Sequence, residues 1–256
     1  MRICVPVPCF FKGDFCDAIK TIGELGFDAA ETYNWKKLDL NAVRKACQKS
    51  GVELLSMCTS EFRMTDPAFR QDWLNGLKES CEAAAVVGAR KLITQVGPDT
   101  GEAREKQHSA IVQTLKEAAP ILEKYGVTIM IEPLNTIVNH PGYYLWKSSE
   151  AFDIIREVNH PLVKVVYDIY HQQVMEGNII PSIVNNLDCI AHLHSAGHPG
   201  RIELQFGEND YNYIFKKVDE AGYKGACGLE YRPTLGSVES LQEFKRLYRE
   251  NITLKE

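Results

Sequence analysis

A single phrase recurs along the chain: a helical pattern, a glycine, then a short β-rich apolar run. It appears as "IGELGFDAAE" (22–31), "CQKSGVELLSMC" (47–58), "AVVGARKLITQ" (85–95), "EKYGVTIMIE" (123–132) and "DEAGYKGACGLE" (219–230). The glycine falls where a helix needs a left-handed terminator before the backbone turns into a strand. Two further runs, "PLVKVVYD" (161–168) and "LDCIAHLH" (187–194), have the same shape with Pro or Asn in place of Gly, and "RICVPV" opens the chain. That makes eight strands. Helical patterns fill the intervals at about 14–25, 39–49, 67–87, 101–125, 148–157, 173–185, 210–221 and 236–250. In the fourth of these, Ile111, Leu115, Ala118, Ile121 and Leu122 recur at helical spacing.

Strict alternation of strand and helix implies a parallel sheet, because parallel neighbours need a crossover between them. Eight such units in 256 residues match the count and size of a (β/α)8 TIM barrel, expected here as one domain spanning 1–256. A doubly wound open sheet is the competing architecture, but no Gly-rich phosphate turn follows the first strand.

In a barrel the site forms at the carboxyl ends of the strands. The fifth run ends on Glu132, the sixth on Asp168, the seventh on His194 and the eighth on Glu230. Three carboxylates and one imidazole from neighbouring strands suit a single divalent ion, Mn²⁺ or Mg²⁺ first and Co²⁺ next, with coordination positions left for substrate. Any one of them alone reads equally well as a helix-capping acid or a satisfied polar group. His192 shares a face with His194 and lies deeper, where a buried hydrogen-bonded role is expected. His198 falls in the "GHPG" turn and reads as a solvated loop residue. Arg201, just after that turn, offers a fork suited to a substrate oxygen or carboxylate. His171, three residues past Asp168, is expected to touch substrate. Glu31 and Gln95 also end strands, on the far side of the ring, and are expected only to line the pocket. His108, His140 and His160 show no partners in the sequence.

Other routes are excluded or left without support. The net charge is −5 and no Lys/Arg block stands out, so a nucleic-acid surface is not expected. The eight cysteines contain no CxxC, which argues for reduced core residues and against thiolate-rich zinc binding. No apolar run approaches the roughly 20 residues needed to span a bilayer, and the N-terminus is broken by Pro6 and Pro8. No membrane association and a cytoplasmic location are the expectation; a homo-oligomer is left open. No GxSxG elbow, P-loop or HExxH is present.

Several segments in order, "IEPLN" (131–135), "HPGYYL" (140–145), "VVYDIYHQQ" (165–173), "IAHLHSAGHPGR" (190–201), "FGENDY" (206–211) and "GLEYRP" (228–233), resemble the hydroxypyruvate isomerase branch of the xylose-isomerase-like barrels. The resemblance covers essentially the whole chain and is densest from 127 to 233. It implies that Glu132, Asp168, His194 and Glu230 bind one divalent metal, that Glu132 and Glu230 form the acid/base pair, and that His171 and Arg201 contact substrate. Two features depart from that branch. Hydroxypyruvate isomerases carry Gln where this chain has His194, whereas ketose 3-epimerases carry His. The "GRxEPGxGE" segment reads "GRIELQFGE" here (200–208). Against an epimerase, the substrate-binding Glu expected a few residues past the fifth strand is missing from "LNTIVNHPG" (134–142).

The implied activity is metal-dependent isomerisation of a small hydroxy-carbonyl acid, such as hydroxypyruvate to tartronate semialdehyde. A ketose 3-epimerase or other sugar isomerase is the runner-up, and a non-catalytic sugar-binding barrel comes third. The segment 133–147, with Tyr143, Tyr144 and Trp146, reads as either a lid over the site or a packed surface loop.

Overall fold

The computed structural model describes residues 1–254. Eight parallel strands close into a barrel in sequence order: β1 (Arg2–Pro6), β2 (Ala29–Thr32), β3 (Glu53–Cys58), β4 (Lys91–Thr94), β5 (Thr128–Ile131), β6 (Val163–Asp168), β7 (Ile190–Ser195) and β8 (Ala226–Leu229). The ring is completed by Ile3 of β1 pairing with Cys227 of β8. The helices are α1 (Val7–Phe10), α2 (Phe15–Glu24), α3 (Leu40–Ser50), α4 (Arg70–Val87), α5 (Arg104–Tyr125), α6 (Ser148–Val158), α7 (Ile169–Met175), α8 (Ile179–Val184), α9 (Tyr211–Glu220) and α10 (Ser237–Tyr248). The TIM barrel expected from the alternation is therefore the observed fold.

The recurrent glycine acts as anticipated. Gly51 ends α3 at φ 63° and Gly126 ends α5 at φ 61°, both in the left-handed region. Asn159 takes the same conformation after α6, where the sequence offers no glycine. One expected helix differs. Residues 173–185 are not continuous: Asp168 starts α7 directly at the end of β6 by accepting from the Tyr170 and His171 amides. Gly177 (φ 66°) and Asn178 (φ 50°) then break the path before α8, because a left-handed residue cannot continue a right-handed helix.

The period of two along each strand sorts side chains between two layers. Outward residues such as Ile129, Ile131, Val165, Cys227 and Leu229 join the large core between barrel and helices. Inward residues fill the barrel with two small apolar clusters, one of Cys4, Ala29, Leu55 and Ala226, the other of Ile93, Met130 and Val166. Continuing the inward series toward the carboxyl ends leads in one step from Met130 to Glu132 and from Val166 to Asp168, and in two from Ala226 through Gly228 to Glu230. The same alternation that packs the barrel thus delivers polar groups to its mouth.

Candidate metal centre and active site

At that mouth, Glu132, Asp168, His194 and Glu230 each present one ligand-type atom, and these atoms all lie within 4.8 Å of one another. Asp168 also caps α7, so the capping and the site readings of this residue both hold: Oδ1 accepts from the Tyr170 amide at 2.8 Å, while Oδ2 faces the cluster. Arg201 sits beside the four. Its Nη2 is 2.7 Å from Glu230 Oε2 and 3.3 Å from Asp168 Oδ2, and its Nε donates to the Glu230 carbonyl at 3.2 Å. Its planar guanidinium also lies over the Tyr170 ring, 5.1 Å from the centroid.

Below the four, the structure departs from the sequence reading. Glu31, unlike Gln95, does not line the pocket as expected: it is on the wall of neither cavity at the mouth and is fully buried. It crosses the barrel interior and binds both strand-β7 histidines, Oε1 to His192 Nε2 at 2.9 Å and Oε2 to His194 Nε2 at 3.0 Å. Ser56 Oγ donates to the same Oε2 at 2.8 Å. His192 is the buried, hydrogen-bonded residue expected of it. A glutamate following two alanines in the short buried strand "AAET" was the available signal for Glu31, but nothing local marks its partners.

His171 is buried, in the first turn of α7. Its Nδ1 accepts from the Asn135 amide at 3.1 Å, and its Nε2 is 3.4 Å from Asp168 Oδ2. It stands behind Asp168 rather than on the lining of either cavity at the mouth. The three histidines without visible partners acquire them through folding: His108 pairs with Glu157 at 2.9 Å, His160 with Glu123 at 3.2 Å, and the His140 ring lies 5.3 Å from that of His171. In the 133–147 segment Tyr143, Tyr144 and Leu145 are buried, and Tyr143 Oη ties strand ends together by donating to the Glu132 carbonyl at 3.0 Å and accepting from the Val96 amide at 2.8 Å. That half of the segment is packed against the barrel. Ile137 and Val138, by contrast, are exposed.

A cavity of ≈ 220 Å³ opens on Glu132, His194 and Glu230, with Tyr33, Phe62 and Gln95 on its walls. A larger groove of ≈ 950 Å³ continues from Tyr33 and Glu230 past Arg201 and Tyr170. Burial and charge push the three carboxylates apart. Burial raises Glu132, with the Glu230 charge adding to it against the pull of His194. Burial carries Asp168 up to about 7 despite Arg201. Burial also works against ionised Glu230, yet Arg201 and His194 outweigh it and hold this carboxyl below the usual range. Glu31, buried too, is kept well below that range by the two histidines.

The donor set fits a divalent cation. An ionised carboxylate only accepts, so Glu31 holds a proton of His194 on Nε2, and in the neutral ring Nδ1 carries the lone pair. Nδ1 is 2.9 Å from Glu230 Oε2 and 3.6 Å from Glu132 Oε1. Nδ1 and Glu230 Oε2 are both buried; Nδ1 has no hydrogen-bond partner, and Oε2 has the Arg201 ion pair at 2.7 Å. Arg201 serves Glu230 Oε2 but nothing serves Nδ1, so a proton on Nδ1 or a metal ion between it and the two glutamates relieves the repulsion among these acceptors. A carboxylate behind a histidine is also the usual support for a metal-ligating imidazole.

Comparison with known proteins gives a consistent picture. The family described as xylose isomerase-like TIM barrel matches residues 19–248. The chain is 33% identical over 176 residues to a 2-oxo-tetronate isomerase of Cupriavidus necator, covering 68% of this chain and 67% of that one. It is 33% identical over 168 residues to a hydroxypyruvate isomerase of Escherichia coli (strain K12), 65% of each chain. A crystal structure from Brucella melitensis described as an AP endonuclease, family 2, superposes with a TM-score of 0.91 at 24% identity, over 96% of this chain and 98% of that one. At that identity the likeness concerns the fold alone. No helix among the described residues is long and apolar enough to cross a membrane.

Proposed function

The chain belongs to the xylose isomerase-like TIM barrel family, and on that premise we propose that it is a divalent-metal-dependent isomerase of short 2-keto hydroxy acids. Hydroxypyruvate and 2-oxo-tetronate, the compounds named in its relatives, define the substrate class. The observation that carries the reading is the position of His194 Nδ1, buried without a hydrogen-bond partner and facing both Glu132 and Glu230. Glu132, Asp168, His194 and Glu230 would hold the ion. A bound divalent cation supplies Lewis-acid stabilisation of the negative charge that develops on the substrate oxygens.

The remaining work falls to side chains of this protein. Isomerisation of hydroxypyruvate removes a proton from the hydroxymethyl carbon, adds one to the neighbouring carbonyl carbon, and shifts the hydroxyl proton between the two oxygens. Glu230, held ionised by Arg201, is the base. Glu132, raised by burial, holds the proton to be delivered. They arrive from β8 and β5, three strands apart around the ring, so they address different sides of a molecule between them. Arg201 offers the substrate carboxylate a planar fork, and the small cavity, walled by Phe62 and Tyr33, limits water near the reacting carbons.

The runner-up is a ketose 3-epimerase, in which the proton returns to the same carbon from the opposite face; His194 itself favours it. Assay of the Mn²⁺- and Mg²⁺-loaded enzyme on hydroxypyruvate, fructose, tagatose and psicose separates the two. The acid is expected to have the highest kcat/KM, with activity lost on chelation and restored by metal. Efficient ketose epimerisation without turnover of hydroxypyruvate would give the assignment to the epimerase.

A further inference from the structure

Glu31 lies outside the four proposed ligands, yet it is fully buried in the barrel, where an unpaired carboxylate is costly. Its surroundings show why it is retained. It receives three donors, from His192, His194 and Ser56, which fix the plane of the carboxylate. To reach β7 from β2 it must pass the inner faces of β1 and β8. The residues there are Cys4 and Gly228, which pair in register. A Cβ on Gly228 would stand 2.5 Å from Glu31 Oε1 and 2.7 Å from His194 Cδ2, so the path exists only because this position has no side chain.

We propose that Glu31 is a positioning residue that makes His194 a metal ligand, by holding its proton on Nε2 and leaving Nδ1 free toward Glu132 and Glu230. This rests on the metal-dependent reading above and names the group that creates its nitrogen ligand. Without Glu31, a neutral imidazole at this place has a better alternative. Nδ1 is 2.9 Å from a Glu230 oxygen, and placing the proton there turns a repulsion between two acceptors into an attraction. That tautomer directs an N–H into the ligand set and cannot coordinate. Glu31 reverses the preference because it offers an ionised acceptor on the opposite edge of the ring. His192 shares the carboxylate but has no such consequence, since its Nδ1 faces no partner.

The test is a calorimetric titration of metal-free protein with Mn²⁺, for wild type, Glu31→Ala and Glu31→Gln, with circular dichroism to verify folding. Supporting carboxylates of this kind are worth about 10–100-fold in metal affinity, and that loss is expected for Glu31→Ala. Glu31→Gln is expected to lose less, because its amide oxygen can still take the His194 proton while its NH₂ faces His192. Nitrogen-15 spectra of the Mg²⁺-loaded wild type should show His194 protonated on Nε2. Folded Glu31→Ala that binds Mn²⁺ as tightly as wild type, or a Mg²⁺-loaded wild type with the proton on Nδ1, would overturn the positioning role alone. If Glu31→Ala does not fold, the Gln variant and the wild-type spectrum decide. Wild-type protein that takes up neither Mn²⁺ nor Mg²⁺ would overturn the metal reading itself, and this proposal with it.

Discussion

Arg201 places one nitrogen 2.7 Å from Glu230 and 3.3 Å from Asp168, so a single guanidinium neutralises part of a site that otherwise gathers three carboxylates. Two roles follow from this placement, and they have opposite signs. For an anionic substrate Arg201 is an attraction; for a divalent cation at the same site it is a repulsion. Arg201→Ala should raise KM for hydroxypyruvate by about tenfold or more, the scale of a charge-assisted hydrogen bond. The same variant should bind Mn²⁺ at least as tightly as wild type. Steady-state kinetics and a metal titration on one preparation check both, and weaker Mn²⁺ binding would contradict the electrostatic account.

Replacement of Glu230 by Gln keeps the shape of the side chain and removes its charge. If Glu230 is the base, kcat should fall by about 10²–10⁴-fold while KM changes little. Metal content has to be measured on the same sample, since loss of the ion would lower the rate for another reason. A fully metallated Glu230→Gln enzyme with near wild-type turnover would remove Glu230 from the chemistry.

Metal binding should strengthen as pH rises. In the metal-free protein burial disfavours charged His194, but Glu31 and Glu230 outweigh it and raise its pKa well above the free value. The proton that stabilises that form must leave before Nδ1 can coordinate. Below the raised pKa each unit of pH is therefore worth up to about tenfold in Mn²⁺ affinity, and the dependence flattens above it. Titrations at several pH values measure the slope; an affinity independent of pH would mean that His194 is not protonated in the free protein.

Gly228→Ala tests the crossing of the barrel by Glu31 without replacing a polar side chain. The added methyl meets Glu31 Oε1 at 2.5 Å and His194 Cδ2 at 2.7 Å, and both side chains are buried and already hydrogen-bonded. Overpacking of this kind costs about 1–3 kcal/mol. A lower denaturation midpoint with weakened Mn²⁺ binding is expected. A variant with wild-type stability and affinity would show that the interior yields more than the packing implies.

The fold was legible because its signals are local. Glycine at a helix end, β-branched runs of four to six residues and helical spacing such as that of Ile111, Leu115 and Leu122 each depend on neighbours in the chain, and their repetition counts the units of a barrel. The strand-end residues Glu132, Asp168, His194 and Glu230 were legible for a related reason: a period of two, once anchored on the apolar residues, assigns each its inward face. His171 was harder. Its distance from Asp168 along the chain was plain, but the Asn135 amide that claims its Nδ1 comes from a different loop.

What the sequence determined by itself is the alternation, the number of units and the polar ends of the inward series, because each follows from backbone geometry over a few residues. What only the tertiary structure decided is which groups meet across the closed ring. Glu31 lies 161 residues from His192 and 163 from His194, and no periodicity links them. They come together because eight twisted strands close, because Cys4 and Gly228 leave a passage between β2 and β7, and because a buried carboxylate must find donors. Arg201 reaches Glu230 and Asp168 in the same way, from a turn in which it takes a left-handed φ of 54°.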